Sequence, residues 1–458
     1  MKLIISNEIT IHDPTPEVRQ WIYDKLKVPN PEYANKIRLG LWVGSTPKEL
    51  KLYRVSGNSI IIPYGVRKSL FHAFPELNTI RHECVFAENK PVNYNASIKL
   101  YDYQENAVQS LVRASGGILQ SKAGSGKTRM GIALICALGK KTLWLTHTNE
   151  LLNQSYNAAA EFIDKKLLGK ITAGKIQIAD GITFATVQTL NKADLQALRY
   201  EWDMIVTDEC HRAIMSVTRA TMFSKVLNNL AAQYKYGLSA TLHRADGLIK
   251  CTYALIGGVA HTVPDSVVNT MRVEIQKKET GVKISRKCLD TDGTLVYAKL
   301  INYLAEHKER NKQIVNDIEV SAYTDHSIIL LSDRVVHLQS LYNMLYDDLK
   351  EDAVILHGKV KKADRELALD QMRNKEKHIL LATYQLAKEG LDVPCLDRLL
   401  LATPVKDYAI VVQSVGRIAR VCEGKGTPVV YDYVDDIGFL QGMWKKRCTS
   451  YRKDGCIL

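Results

Sequence analysis

Gly117-Ile118-Leu119-Gln120-Ser121-Lys122-Ala123-Gly124-Ser125-Gly126-Lys127-Thr128 is the stretch from which the rest of the chain is read. An apolar run breaks into small residues and glycines, and Arg129 to Leu138 then continues with few breakers, so the order is strand, loop, helix. Glycines at 124 and 126 allow backbone N–H groups to converge on an anion, and the helix presents its positive dipole end to the same place. That is the pattern of a nucleotide-phosphate site, in which Lys127 reaches the β and γ phosphates and the Thr128 hydroxyl takes a place on Mg²⁺. The first position of the eight-residue pattern is Ser121 instead of Gly, and a residue that small still permits the turn.

Outward from this loop, strands alternate with helices, the signature of a parallel sheet. The expected strands are 117–120, 142–146, 182–186, 203–207 and 236–239. Each runs into polar or small residues at its carboxyl end, the edge along which open α/β sheets bind ligands. A second alternating series follows, with strands expected at 327–331, 353–356, 378–382, 398–401 and 428–431 and no second phosphate loop. Two similar sheets with one loop between them imply a composite site completed by the second domain. Residues 1 to about 95 mix short β-like runs with a helix from Thr15 to Leu26, capped by Thr15 with Pro16 at its first position. This is a separate α+β module.

Met204-Ile205-Val206-Thr207-Asp208-Glu209-Cys210-His211 is a buried strand ending in two acids. Asp208 at the strand tip can hold Mg²⁺, and Glu209 can orient and deprotonate an attacking water. Gln413-Ser414-Val415-Gly416-Arg417-Ile418-Ala419-Arg420 carries two arginines three apart, read as lying on one helix face, where guanidinium forks neutralise charge on a transferred phosphoryl.

A chain of 458 residues suggests about three domains. Its net charge of +13 makes polyanions plausible partners. Nine scattered cysteines show no zinc spacing, which predicts reduced thiols and no structural zinc. No apolar run approaches membrane-spanning length, and the start is too polar for a secretion signal, so a soluble cytoplasmic protein is expected.

Taken together, residues from about 98 to 440 resemble a superfamily 2 helicase or translocase. Tyr101-Asp102-Tyr103-Gln104 resembles the adenine-reading Q motif and 123–128 motif I, so Ala123, Gly124, Ser125 and Gly126 fall in the ATP cradle. Thr146 to Leu151 stands for motif Ia, Ala185 to Leu190 for Ic, Asp208-Glu209-Cys210-His211 for motif II, and Ser239-Ala240-Thr241 for motif III. Ala382-Thr383 through Gly390-Leu391-Asp392 matches motif V, and Gln413 to Arg420 motif VI. The resemblance implies two tandem RecA-like domains in an α/β fold, with ATP and Mg²⁺ as cofactors. It implies that Gln104 reads adenine, that Ser239, Ala240, Thr241 and His211 couple hydrolysis to motion, with His211 contacting across the cleft, and that Gly390 and Asp392 link nucleotide to strand. Thr146, Asn149, Thr186, Gln188, Arg334 and Thr383 would contact nucleic acid, mainly its phosphates. Gln413 stands where many relatives have His, and Leu242-His243-Arg244-Ala245-Asp246 lacks the Glu of an Arg-Glu-Asp triplet. The XPB-like and phage UvsW-type branch is the nearest match, and it implies branched or forked DNA as substrate and a monomer in the cytoplasm, a host's if phage-encoded. An RNA helicase and an ATP-switched DNA-binding module remain alternatives.

The resulting division is 1–95 accessory or DNA-recognition module, 96–262 first RecA-like domain, 263–297 connector, 298–443 second RecA-like domain and 444–458 basic tail. That tail suits either backbone contact or a solvated terminus. Tyr433-Val434-Asp435-Asp436 looks like a polymerase turn but follows motif VI, where no palm domain is expected.

Overall fold

The chain divides into two units, Met1–Val267 and Val268–Leu458. The computed structural model describes all residues except 123, 173–174, 212–216, 241, 243–247, 269, 389–392 and 406–407, and for 217–221, 362, 388, 408–409 and 453 the backbone alone. Of the candidate site residues, Ala123, Thr241, Gly390 and Asp392 lie outside the described residues.

The first unit opens with β1 (Lys2–Ile5), β2 (Glu8–His12), α1 (Pro16–Lys25), β3 (Lys27–Pro29), α2 (Pro31–Arg38), β4 (Glu49–Lys51), β5 (Arg54–Ser56), β6 (Ser59–Pro63), α3 (Arg67–Ala73) and β7 (His82–Cys84). Thr15 caps α1, its Oγ1 accepting from the Val18 N–H at 3.4 Å, with Pro16 at the first position as the sequence predicts. Five strands form a sheet in the order β5-β6-β2-β1-β7. Alternate residues Leu3, Ile5, Ile9, Ile11, Ile60 and Ile62 are fully buried in one cluster with Val18 and Ile22 of α1. β3 and β4 make a separate antiparallel pair with α2 between them.

The unit continues with α4 (Asp102–Ala114), β8 (Gly117–Gln120), α5 (Lys127–Leu138), β9 (Thr142–Thr146), α6 (Asn149–Ala160), β10 (Leu168–Thr172), β11 (Lys175–Gln177) and β12 (Ile182–Thr186). α7 (Val187–Leu190), β13 (Met204–Thr207), α8 (Val217–Leu227), β14 (Tyr234–Ser239), α9 (Ile249–Ile256) and β15 (Val259–Thr262) complete it. The eight-stranded sheet runs β11-β10-β12-β9-β13-β14-β8-β15. All neighbours are parallel except the β10–β11 hairpin. Parallel strands covered on both faces read as continuous apolar runs, and β9, β12 and β13 are buried at every residue.

The amino-terminal module is fastened to this lobe by two lysines. Lys235 of β14 is fully buried and donates to the Leu227 carbonyl at 2.8 Å and to the Asn7 carbonyl at 3.1 Å. Burial holds its ammonium down at about 7. Lys68 of α3 donates to the Ala114 carbonyl and, at 3.1 Å, to that of Gly116, capping the end of α4.

The second unit holds β16 (Glu274–Glu279), α10 (Tyr297–Glu306), α11 (Lys308–Ala322), β17 (Ile328–Ser332), α12 (Val335–Met344), α13 (Asp347–Glu351), β18 (Ala353–Leu356), α14 (Lys362–Arg373) and β19 (Ile379–Thr383). α15 (Tyr384–Lys388), β20 (Arg398–Leu401), α16 (Tyr408–Ile418), β21 (Val429–Val434) and α17 (Gly438–Lys453) follow. Its sheet runs β16-β21-β20-β17-β19-β18, all parallel.

Two expectations need correction here. The connector 263–297 contains β16, which pairs in full register with β21 from Glu274↔Val429 to Glu279↔Val434. As an edge strand it buries only Ile275, so it carries no apolar run to reveal it. Nor do residues 444–453 form a solvated tail. They lie in α17, where Arg447 makes a buried bidentate pair with Asp432, both contacts at 2.7 Å, and Tyr451 donates to Asp432 Oδ2 at 2.8 Å.

Candidate active site

The order of the sheet brings the chemistry of the first lobe together. β14 lies between β8 and β13, so the loop after β8, the Ser239 end of β14 and the acids after β13 are consecutive along one edge. β9 and β12 extend that edge with Thr146 and Thr186 paired across it.

The loop after β8 is shaped to wrap an anion. Gly124 and Gly126 adopt φ of +83° and +79°, and α5 begins at Lys127 without a side-chain cap on its first N–H groups. Among the described residues, the buried hydroxyls of Ser121 and Ser125 have no hydrogen-bond partner. Lys127 Nζ donates to the carbonyls of Ser121 and Lys122, each at 3.2 Å, so the ammonium is folded into the mouth of its own loop. A Cβ on Gly126 would come within 2.5 Å of Gln104 Nε2. Uncapped donors, orphaned hydroxyls and an inward cation all fit a triphosphate.

Gln104, 3% exposed, fixes this loop from behind. Its Nε2 donates to the Ser125 carbonyl at 2.9 Å and its Oε1 accepts from the Tyr101 N–H at 3.0 Å. Tyr103 adds a second hydrogen bond to Ser125 O at 3.1 Å. Tyr101, 62% exposed, lies parallel to Tyr103 with ring centroids 5.9 Å apart. The Q-like segment thus offers an aromatic face, while its glutamine is spent on the phosphate loop.

Asp208 is buried at the tip of β13, its Oδ1 accepting from the Glu209 N–H at 2.9 Å and its Oδ2 from Ser155 Oγ at 3.5 Å. Glu209 has φ of +47°, a left-handed conformation rare outside glycine and common where a site aims a side chain. Burial first, then the Glu209 carboxylate, push the Asp208 carboxyl from 3.8 to about 7, with Lys127 pulling the other way. Among the described residues no cluster of His, Cys, Asp or Glu is built to hold a metal. The hydroxyl of Thr128 and the carboxylate of Asp208 are nevertheless the hard oxygen donors a Mg²⁺ shared with substrate phosphates takes.

The Asp208 shift fixes a pH dependence. A carboxyl with a raised folded-state pKa holds its proton more tightly folded than unfolded, so this group costs stability progressively as pH rises from about 4 to about 7. Without nucleotide or Mg²⁺, Asp208→Asn is expected to raise the melting temperature by several degrees at pH 8 and by much less at pH 5, read by calorimetry. An equal gain at both pH values would contradict the burial of a charged Asp208.

His211 Nδ1 lies 2.9 Å from Ser239 Oγ and 3.2 Å from Glu209 Oε2. Both partners lie in its own lobe, Ser239 on the neighbouring strand β14 and Glu209 two residues earlier in the loop after β13. Ala240 follows Ser239 directly at the end of β14. Ser155, on α6, is a site residue that no motif marked; it is found only through the packing of α6 against the sheet.

Two of the expected nucleic-acid contacts are turned inward. Thr146 is buried and donates to the Thr148 carbonyl at 3.0 Å. Thr186 is buried and caps α7, accepting from the Thr189 N–H at 3.3 Å. These hydroxyls shape their loops and leave Asn149 and Gln188 at the surface, Gln188 donating to the His147 carbonyl at 3.1 Å. In the second unit Arg334 donates to Asn302 Oδ1 at 2.7 Å, and Thr383 is half-buried at the end of β19. Gln413 and Arg417 lie on α16, with Arg417 donating to the Ala387 carbonyl at 3.4 Å. The helix ends at Ile418, so Arg420 stands beyond it and the two arginines do not share a helical face. Burial lowers the pKa of the Arg420 guanidinium.

Comparison with known proteins agrees with this geometry. Residues 97–244 match the family "Type III restriction enzyme, res subunit" and residues 308–422 the "Helicase conserved C-terminal domain". A protein of Acanthamoeba polyphaga mimivirus whose name describes an ATP-dependent RNA helicase is 26% identical, over 89% of this chain and 78% of its own. The DNA 3'-5' helicase XPB of Mycobacterium tuberculosis is 23% identical, over 65% of this chain and 53% of its own. The fold resembles that of Saccharomyces cerevisiae Dbp5 bound to RNA and ADP BeF3, with a TM-score of 0.54 and 18% identity over 79% of this chain and 89% of that one.

Proposed function

We infer that this chain, which belongs to the ATP-hydrolysing helicases of superfamily 2, acts on DNA and separates or remodels strands at forks and branches. The observation that supports DNA most is the amino-terminal module. It is fastened to the first lobe by the buried Lys235 and by Lys68, so whatever it grips moves with the phosphate loop. The net charge of +13 favours a polyanion.

In this reading Gly124, Ser125, Gly126 and Lys127 hold the β and γ phosphates, and Tyr101 stacks on the base. Thr128 and Asp208 would hold a Mg²⁺, whose charge would offset that of the phosphates. Glu209 orients the attacking water and takes its proton, and His211 and Ser239 carry the change at Glu209 to the next strand. Arg417 and Arg420 act on the charge that develops on the transferred phosphoryl, with Gln413 beside them on the same segment. Asn149, Gln188, Arg334 and Thr383 contact the phosphodiester backbone of the strand being moved.

The test compares ATP turnover in the presence of forked duplex, blunt duplex, single-stranded DNA and RNA, with strand displacement measured alongside. Forked DNA is expected to stimulate turnover most and to be separated. Greatest stimulation by RNA would replace DNA with RNA as the substrate. Nucleotide-dependent affinity without displacement would make the chain an ATP-driven binding switch.

A further inference from the structure

Between β3 and β4 the chain builds a projecting element whose composition is unusual for a surface. α2 buries none of its residues, and the loop that follows exposes Leu39 and Leu41, each 56% exposed, and Trp42, 88% exposed. Contiguous apolar surface of this kind on a soluble domain marks an interaction site. The indole rests on the backbone of Gly44, where an added Cβ would come within 2.7 Å of its ring. It is therefore presented outward and not folded into the core.

The element is stiff. Lys36 Nζ donates to Thr46 Oγ1 at 2.6 Å, the Leu41 N–H to the Lys36 carbonyl at 2.9 Å, and Asn30 Nδ2 to the Pro47 carbonyl at 2.8 Å. It is also mounted on the motor lobe: Val28 of β3 is fully buried in the same cluster as Ile171, Leu190 and Leu248, and Leu50 of β4 packs against that cluster. On the same element Arg38 and Lys48 are exposed, and residues 30–54 carry five basic side chains against two acidic ones.

Resting on the DNA-helicase reading above, we propose that this element is the wedge that meets the junction between paired and unpaired DNA, with Trp42 stacking on the exposed terminal base and Arg38 and Lys48 holding flanking phosphates. A rigid apolar tip on a basic element suits a nucleic-acid end because every base offers a π face to an aromatic ring, and apolar side chains lever base steps apart. Its rooting in the first lobe means that the tip advances with that lobe.

The experiment compares wild type, Trp42→Ala and Trp42→Phe for affinity to forked and blunt duplexes, for strand displacement and for ATP turnover without DNA. A 2-aminopurine at the junction reports stacking directly, and the difference between wild-type and Trp42→Ala emission isolates the Trp42 signal from those of Trp21, Trp144, Trp202 and Trp444. Trp42→Ala is expected to weaken fork binding about tenfold and to slow displacement at least as much. Basal turnover and blunt-duplex affinity should be unchanged, and Trp42→Phe should recover to within about twofold. Unchanged fork affinity and displacement in Trp42→Ala overturns the wedge, as do equal losses on fork and blunt duplex. Loss of self-association or of anionic-vesicle binding in Trp42→Ala, with fork binding intact, assigns the patch to a second copy or a membrane surface and also overturns it. A wild-type protein that neither binds nor separates DNA defeats the underlying reading instead.

Discussion

Lys127→Ala is expected to reduce ATP turnover by about a thousandfold or more while the protein still folds. The side chain is half-buried at the first turn of α5 and donates to the loop carbonyls of Ser121 and Lys122, so its removal opens no cavity, and alanine favours the helix. What disappears is a cation aimed into the loop, which makes both nucleotide affinity and the chemical step suffer. Glu209→Gln provides the contrast. It keeps the shape of the acid pair and removes the base, so turnover should fall by roughly 10² to 10⁴-fold with ATP still bound. Near-normal DNA-stimulated turnover in Lys127→Ala, measured against a matched circular dichroism spectrum, would show that the loop after β8 is not the hydrolysis site.

A second large effect is expected in the other unit, at a pair with no catalytic part in the mechanism. Arg310 and Asp435 are both fully buried, joined at 2.8 Å, with Arg310 also donating to the Ala402 carbonyl at 2.7 Å and Thr280 Oγ1 donating to Asp435 at 2.6 Å. Asp435→Ala strands a guanidinium in the core and should cost about 3–5 kcal/mol of stability. Urea unfolding followed by a probe in the second unit would show the midpoint fall, with the first unit's transition left in place. The double change Arg310→Met with Asp435→Leu should recover most of the loss, because two apolar side chains leave no buried charge. If Asp435→Ala unfolds at the wild-type urea concentration, the pair is not holding β21 to α11. This role also disposes of the polymerase-like look of Tyr433-Val434-Asp435-Asp436: Tyr433 donates to Asp317 and Asp435 serves Arg310.

How much of this could be read from residues alone depended on burial. Strands covered on both faces, such as Thr142–Thr146 and Ile182–Thr186, are continuous apolar runs, and their expected limits coincide with those observed. The glycines of the phosphate loop and the acids after β13 were legible because their chemistry demands particular residues at particular spacings. β16 was not, since an edge strand with one buried residue leaves no pattern. α17 looked like a basic terminus because the partner that buries Arg447, Asp432, is contributed by a different element. The same reason hid Ser155, and it made Thr146 and Thr186 look like surface hydroxyls when each is turned back to hold its own loop. Position along the chain says which loop a residue belongs to; only packing says which way it faces.

The 13 residues of α4 are held at both ends, by Gln104 on the Ser125 carbonyl and by Lys68 of the amino-terminal module on the Ala114 and Gly116 carbonyls. A helix of that length is a strut of about 20 Å. Pulling on one of its anchors therefore loads the other, so the two lysine and glutamine latches put nucleotide loop and module mechanically in series, and loosening either should uncouple fuel from grip before it unfolds anything.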